Sequence, residues 1–401
     1  MNGEKGSNKL WDIDRTIDKN ILEFTVGNDY LIDLEILPYD CTASIAHAKM
    51  LKKLGILTEK ELEKTIKELQ KIIELHKEGK FIIKQEEEDC HTAIENYLTN
   101  KLGDTGKKIH TFRSRNDQVL TALRLYYKDK IKEINNLIDS FILTLKNFIK
   151  KYGRIKIPGY THTRQAMPTD IKTWSECWID SMRDNKKYIR SVMEIIDQSP
   201  LGAGAGFGTP IKIDRDFTAI EMGFKKVQKN PIYCINSRGK FEAELLSSLA
   251  MIMFDINKIA SDIIFYSMDE IGIFRLDKRI CTGSSVMPHK RNPDVFEILR
   301  ANYHVVNSLE FQIKSLIANL ISGYHRDFQL QKEAVIKGLK TTINSLSILN
   351  HTFNFIEIDK NNAKRLMSES LYSVEKAYRL TLEKNIPFRD AYKIIKKGIE
   401  K

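Results

Sequence analysis

Apolar residues recur at helical spacing along most of the chain, and strand-like alternation is scarce. Thr58-Glu-Lys-Glu61 has the pattern of a capping box and is followed by Leu62, Ile66, Leu69 and Ile73 on one face. Over 117–152 a stripe of Leu120, Leu123, Tyr127, Ile131, Ile134, Ile138, Phe141, Leu145 and Phe148 predicts one continuous helix, with Gly153 placed to end it. At the rise of an α-helix this element runs roughly 50 Å. The same periodicity predicts helices over 168–197, 241–271, 293–321 and 330–355. Stripes on five long helices can be buried only against one another or against other subunits, so the expected fold is all-α with an elongated central bundle of long helices. Turn residues near Ile109 and Ile358 suggest an N-terminal helical domain over 1–109, a central bundle over 110–357 and a short C-terminal helical domain over 358–401.

Composition narrows the class. With 42% hydrophobic and 29% charged residues the chain is ordinary globular protein, long enough for a large core. No run of eighteen apolar residues appears, and the N-terminus lacks the apolar segment of a signal peptide, so no membrane partner is expected and the expected location is the cytoplasm. Five cysteines, Cys41, Cys90, Cys177, Cys234 and Cys281, are odd in number and far apart, which suits free thiols in a reducing compartment. The net charge of +11 is spread over lysine doublets beside glutamates, with no block of five like charges. Solvated helix faces therefore account for it better than a nucleic-acid surface.

Four polar segments interrupt the helical pattern and carry the candidate chemistry. In 110–118, Arg113 and Arg115 offer planar forks for carboxylates, while Ser114 and Asn116 sit at a helix start where amides favour an anion. The same residues also suit an N-cap with salt bridges. In 158–165, His162 stands on a Pro-Gly loop, with Pro168 at the expected start of the next helix. Imidazole exchanges protons near neutrality, which makes His162 a candidate acid or base. In 283–294, Ser284, Ser285, Lys290 and Asn292 combine hydroxyls, an ammonium and an amide on a loop opened by glycine, and Glu297 follows on the next helix, where a carboxylate can orient a histidine. The fourth, 324–333, is dense in donors and includes Tyr324, Gln329 and Lys332. The histidines and cysteines form no close ligand pair and no acidic cluster suits magnesium, so no metal is expected. Ser284 lacks the Gly-x-Ser-x-Gly elbow of a hydrolase. The glycine run 202–208 follows a helix rather than a strand and predicts a tight connection with close backbone approach, not a dinucleotide loop.

The string Gly283-Ser-Ser-Val-Met-Pro-His-Lys-Arg-Asn-Pro-Asp294 resembles the signature of the fumarase/aspartase superfamily. Together with Glu88-Asp89-Cys-His91, 113–118, 158–162, Ser199-Pro-Leu-Gly-Ala-Gly204 and 324–333, it is similar to the argininosuccinate lyase family over nearly the whole chain. That resemblance implies a three-domain all-α homotetramer whose active sites are shared among subunits and which cuts argininosuccinate into arginine and fumarate without a cofactor. It further implies that Ser284 is the base, helped by Lys290 and loop amides. Lys290 would also stabilise the carbanion, and His162, oriented by Glu297, would protonate the leaving nitrogen. Ser114, Asn116, Thr161, Asn292, Tyr324, Gln329 and Lys332 match positions that hold substrate. From residue chemistry alone His162 would be the base, so Ser284 owes that role to the resemblance.

Four positions depart from the family pattern. Phe112 replaces a usual glycine, Asp12-Ile13-Asp14-Arg15 stands where Gly-Gly-Arg is usual, and His289-Lys290-Arg291 is closer to the adenylosuccinate lyase version of the loop. The region after Arg389 is short. Adenylosuccinate lyase is therefore the alternative within the superfamily. A catalytically silent structural protein on this fold, as some lens crystallins are, is the alternative of a different class, and retention of His162, Ser284, Lys290 and Glu297 counts against it.

Overall fold

The computed structural model describes residues 17–399. The Asp12–Arg15 departure lies outside them. Five long helices dominate: α1 Arg115–Tyr152, α2 Ile171–Ile196, α3 Lys240–Tyr266, α4 Asp294–Ile317 and α5 Gln331–Thr352. The capping box expected at Thr58 is present: its hydroxyl accepts from the Glu61 amide and the Glu61 carboxylate accepts from the Thr58 amide at 2.8 Å, opening helix Glu59–Lys77. Gly153 ends α1 where a Cβ would lie 2.6 Å from the Ile149 carbonyl oxygen.

The chain forms two compact units, and the division falls inside each of the five long helices. The first comprises 1–133, 189–248 and 308–339. Part of its core is a cluster of Ala43, Ala46, Leu125, Leu201, Ala219, Met222 and Phe224, where small residues let helix Leu37–Lys53 approach closely. The second comprises 134–188, 249–307 and 340–401. There Phe141 and Phe148 of α1 meet Phe353 edge to face, both with ring centroids 5.4 Å apart. This is the offset geometry that ring quadrupoles favour.

Strands are short and paired by twos. They correct one expectation. Pro168 does not start a helix; it lies in a hairpin of β1 Lys156–Thr161 and β2 Arg164–Asp170, paired with Pro158. The start signal is instead Asp170, whose Oδ1 accepts from the Thr173 amide at 2.7 Å and so caps α2. A proline has no N–H to give a ladder, and this two-stranded ribbon has only edges, so both prolines are tolerated.

Candidate functional site

In the first unit a cavity of about 400 Å³ is lined by Asp29, Glu88, Asp89, His91, His110, Arg113, Ser114, Arg115, Asn116, Val119, Arg238, Tyr324, Arg326, Gln329 and Lys332. The structure thus brings together seven of the residues singled out in the sequence, Arg113, Ser114, Arg115, Asn116, Tyr324, Gln329 and Lys332, from segments some two hundred residues apart.

The start of α1 organises one wall. Ser114 is its N-cap: its Oγ accepts from the Asn116 amide at 3.3 Å, and the Asp117 carboxylate accepts from the Ser114 amide at 3.0 Å. Asp117, which sequence reasoning passed over, is fully buried, and its other oxygen accepts from the amides of Gly202 and Gly204 at 2.9 and 2.8 Å. Those glycines have φ of 84° and 61°, which aims two alternate amides, with Ala203 between them, at one carboxylate. The glycine run is therefore the close backbone approach expected of it. Burial pushes the Asp117 carboxyl up to about 6 in spite of the three amide donors. Just before the helix, Phe112 has φ of 66°, a left-handed conformation that explains why glycine is usual in this turn.

The cavity's charges are held in place. Asp89 caps helix Cys90–Leu102 through the Thr92 amide at 2.8 Å and hydrogen-bonds the Arg115 guanidinium with its second oxygen. Burial would raise the Asp89 carboxyl, but His91 and Arg115 outweigh it and hold it down at about 2. Glu88 lies 3.7 Å from both Arg115 and Arg326. His91 donates from Nδ1 to the Asp40 carboxylate at 2.9 Å, while its buried Nε2 has no hydrogen-bond partner among the described residues. Burial works against the imidazolium there, yet the Asp40 carboxylate raises its pKa overall. Arg238 lies under the rings of Tyr324 and Phe328 at 5.5 and 5.4 Å.

Three expected substrate-binding residues, Gln329, Lys332 and Arg113, are also engaged by the chain itself. Gln329 Nε2 donates to the Thr25 and Val26 carbonyls at 2.9 and 3.2 Å. Lys332 is buried between Asp29 at 2.7 Å and Asp33 at 2.5 Å. Arg113 donates to Ser44 Oγ at 2.8 Å. Among the described residues one group has ligand atoms close enough for a metal, Asp33, Cys90 and His91, all buried. Its bonding opposes one: Lys332 already sits on Asp33, and burial pushes the Cys90 thiol up, away from thiolate.

The remaining candidates belong to the second unit and do not line this cavity. Thr161 ends β1, and His162 and Thr163 form the two-residue tip of the hairpin with φ of 52° and 58°. Positive φ at both positions is the requirement of a type I′ turn, which asparagine and glycine fill more cheaply, so the exposed His162 is presented at a strained tip. The signature segment is an excursion between β3 Thr282–Gly283 and β4 Arg291–Asn292, which pair with each other. Its neck is closed by hydrogen bonds from Thr282 to Asp294 and from Asn292 Nδ2 to the Gly283 carbonyl. Within the loop Ser284 Oγ accepts from the amides of Val286 and Met287 at 3.3 and 3.0 Å, while Ser285 and Lys290 are exposed. Glu297 is exposed on the first turn of α4.

Comparison with known proteins places these features in a family. A family described as lyase matches residues 14–307. A relative named argininosuccinate lyase from Thermotoga neapolitana is 52% identical over 397 residues, covering 98% of this chain and 100% of its own. One of the same name from Bacteroides thetaiotaomicron is 37% identical, covering 98% of this chain and 88% of its own. Among solved structures, EDDS lyase in complex with formate superposes with a TM-score of 0.78 at 20% identity over 95% of this chain and 76% of that one. Class II fumarase from Schistosoma mansoni gives 0.80 at 15% identity over 94% and 88%. At such identities the likeness concerns the fold, which is the mostly helical one expected.

Proposed function

The chain belongs to the argininosuccinate lyase family, and on that premise we propose that it cleaves argininosuccinate to arginine and fumarate by β-elimination, with no cofactor. The observation that carries this reading is the near full-length identity of 52% to a relative of that name. The cavity supports it chemically, because guanidinium groups, amide donors and a buried ammonium suit a substrate with several carboxylates.

In the proposed reaction Ser284 removes a proton from the carbon beside a succinyl carboxylate. The electron pair left on that carbon forms the new double bond as the C–N bond to the guanidino nitrogen breaks. His162, oriented by Glu297, protonates that nitrogen, and arginine and fumarate separate. A free hydroxyl is a feeble base, so the two amides donating to Ser284 Oγ support its role by stabilising negative charge on that oxygen. Lys290 stabilises the charge that develops on the substrate carboxylate. Ser114, Ser285, Thr161 and Asn292, with Arg113, Arg115, Asn116, Tyr324, Gln329 and Lys332, hold the substrate.

We further propose a homotetramer in which each site combines the cavity of one copy with His162 and Ser284 from others. The exposure of His162, Ser285, Lys290 and Glu297 supports this, as does their absence from the cavity lining. A cytoplasmic location is consistent with five unbridged cysteines and with the lack, among the described residues, of a helix long and apolar enough to cross a membrane.

The test is fumarate absorbance with purified protein supplied with argininosuccinate or, separately, with adenylosuccinate, for which His289 speaks. Fumarate and arginine from the first substrate are expected. Turnover of adenylosuccinate alone would transfer the assignment to that lyase, and turnover of neither would leave the silent structural protein.

A further inference from the structure

The turn that leads into α1 has a geometry its sequence does not favour. Thr111 has φ of −54° and ψ of 126°, Phe112 has φ of 66°, and the Arg113 amide donates to the His110 carbonyl at 3.0 Å. These are the marks of a type II turn across 110–113, whose third position suits glycine. An L-residue there is disfavoured by roughly tenfold and persists only where its surroundings hold it. One side chain supplies such a hold. The Thr111 carbonyl, which points to opposite sides in type I and type II turns, accepts from His47 Nε2 at 2.9 Å. A carbonyl oxygen can only accept, so Nε2 carries the proton. Burial first, and then the charge of Arg113, push the His47 imidazole well below its ordinary pKa, so it is neutral and has that one N–H to give. His47 is 1% exposed on helix Leu37–Lys53, and Ser44, one turn earlier, accepts from the Arg113 guanidinium at 2.8 Å. The two bonds tie both neighbours of Phe112 to one helix.

We propose that His47 is a positioning residue: by holding the Thr111 carbonyl it latches this turn in its left-handed form and so fixes the stretch 113–116 in the cavity wall. His47 does not itself line the cavity, whereas Arg113, Ser114, Arg115 and Asn116 do. Without the imidazole N–H the Thr111 carbonyl loses its partner, and the Thr111–Phe112 peptide relaxes by turning over, which brings Phe112 to negative φ. The bond from Arg113 to His110 is common to both turn types, so nothing within the turn opposes the change. The entry to α1 then has two conformations, of which one presents the wall as the cavity needs it. Affinity falls with the share of molecules that keep the left-handed form.

The test has a kinetic arm, which rests on argininosuccinate as substrate, and a structural arm, which does not. His47→Leu removes the N–H and keeps an apolar side chain, so KM should rise about tenfold with kcat within about twofold of wild type. His47→Gln, whose amide nitrogen reaches about as far as Nε2, should stay within about threefold. Adding Phe112→Gly to His47→Leu should return KM to within about threefold of wild type, because glycine takes the left-handed turn unaided. A histidine that only fills the core cannot be rescued in this way, so a double variant as impaired as His47→Leu would overturn the proposal. Should His47→Leu fail to fold, Phe112→Gly is expected to restore folding, and failure to do so would count equally against the latch. In a crystal structure of His47→Leu the Thr111 carbonyl should point away from position 47 with Phe112 at negative φ, and an unchanged turn would overturn the proposal. If the wild-type protein makes no fumarate from argininosuccinate, the functional reading fails, whereas the turn in that structure still decides the role of His47.

Discussion

Replacing Lys332 by methionine separates what this residue does for the fold from what it does for substrate. The substitution keeps an apolar stem of similar length and removes the ammonium. Asp29 and Asp33 are then left side by side, with side-chain exposures of 11% and 0%. Each ion pair contributes a gross attraction of about 6 kcal/mol at these separations if the effective dielectric is about 20. Desolvation of the ammonium offsets much of this, so the expected loss of unfolding free energy is the roughly 3–5 kcal/mol typical of breaking a buried pair from one side. The loss depends on pH with a definite sign. Asp29 already has a folded-state pKa above its unfolded value, so its contribution to stability is present at low pH and lost as pH rises through the folded value. Without Lys332 the Asp29 carboxyl moves further in that direction, and the native variant takes up protons where the wild-type protein does not. The gap between the two proteins should therefore be widest near about pH 8 and narrow toward about pH 5. Urea titrations followed by far-ultraviolet circular dichroism, at matched protein concentration, measure it. A loss below about 1 kcal/mol with unchanged m-value, or a gap independent of pH, would show that the ion-pair group is not what holds this wall of the cavity.

Three further outcomes are expected. Asp117→Asn should cost about 1–3 kcal/mol of stability, since an amide cannot accept at both ends from Ser114, Gly202 and Gly204, and the same titration checks it. Thr163→Gly should raise stability by up to about 1 kcal/mol, because a β-branched residue at φ of 58° is replaced by one that adopts it freely. His162→Asn should lower kcat by about a hundredfold or more with an unchanged circular dichroism spectrum, and Ser284→Ala and Lys290→Met should be at least as damaging. Steady-state rates equal to wild type in Ser284→Ala would remove the proposed base.

Local chemistry was legible in the sequence where one segment contains its own partners. The Thr58 capping box, the five apolar stripes and the tight glycine turn all appear where spacing predicts them. The hairpin did not announce itself, because His162-Thr163 lacks the asparagine or glycine that its turn type normally requires, and helical periodicity beyond Pro168 masked β2. The cavity was half legible. Arg115, Tyr324 and Lys332 stand in polar segments that no core demands, but Asp29 and Asp33 lie about three hundred residues from Lys332 in a stretch with no motif of its own. Asp117 looked like one more residue of a helix N-terminus until the fold placed two glycine amides against it. Phe112 stood out only by departing from the family's glycine, and its left-handed φ gives the reason.

Whether the cavity of one copy works with His162 and Ser284 from different copies is tested most directly by complementation. Two inactive proteins, His162→Asn and Ser284→Ala, are unfolded together, mixed in equal amounts and reassembled, and argininosuccinate turnover is measured against each parent. In a symmetric closed assembly, random mixing leaves about a quarter of sites with both residues intact, by a half times a half, so about a quarter of wild-type activity should return. Activity no higher than either parent, with subunit exchange confirmed by mass, would contradict the shared site.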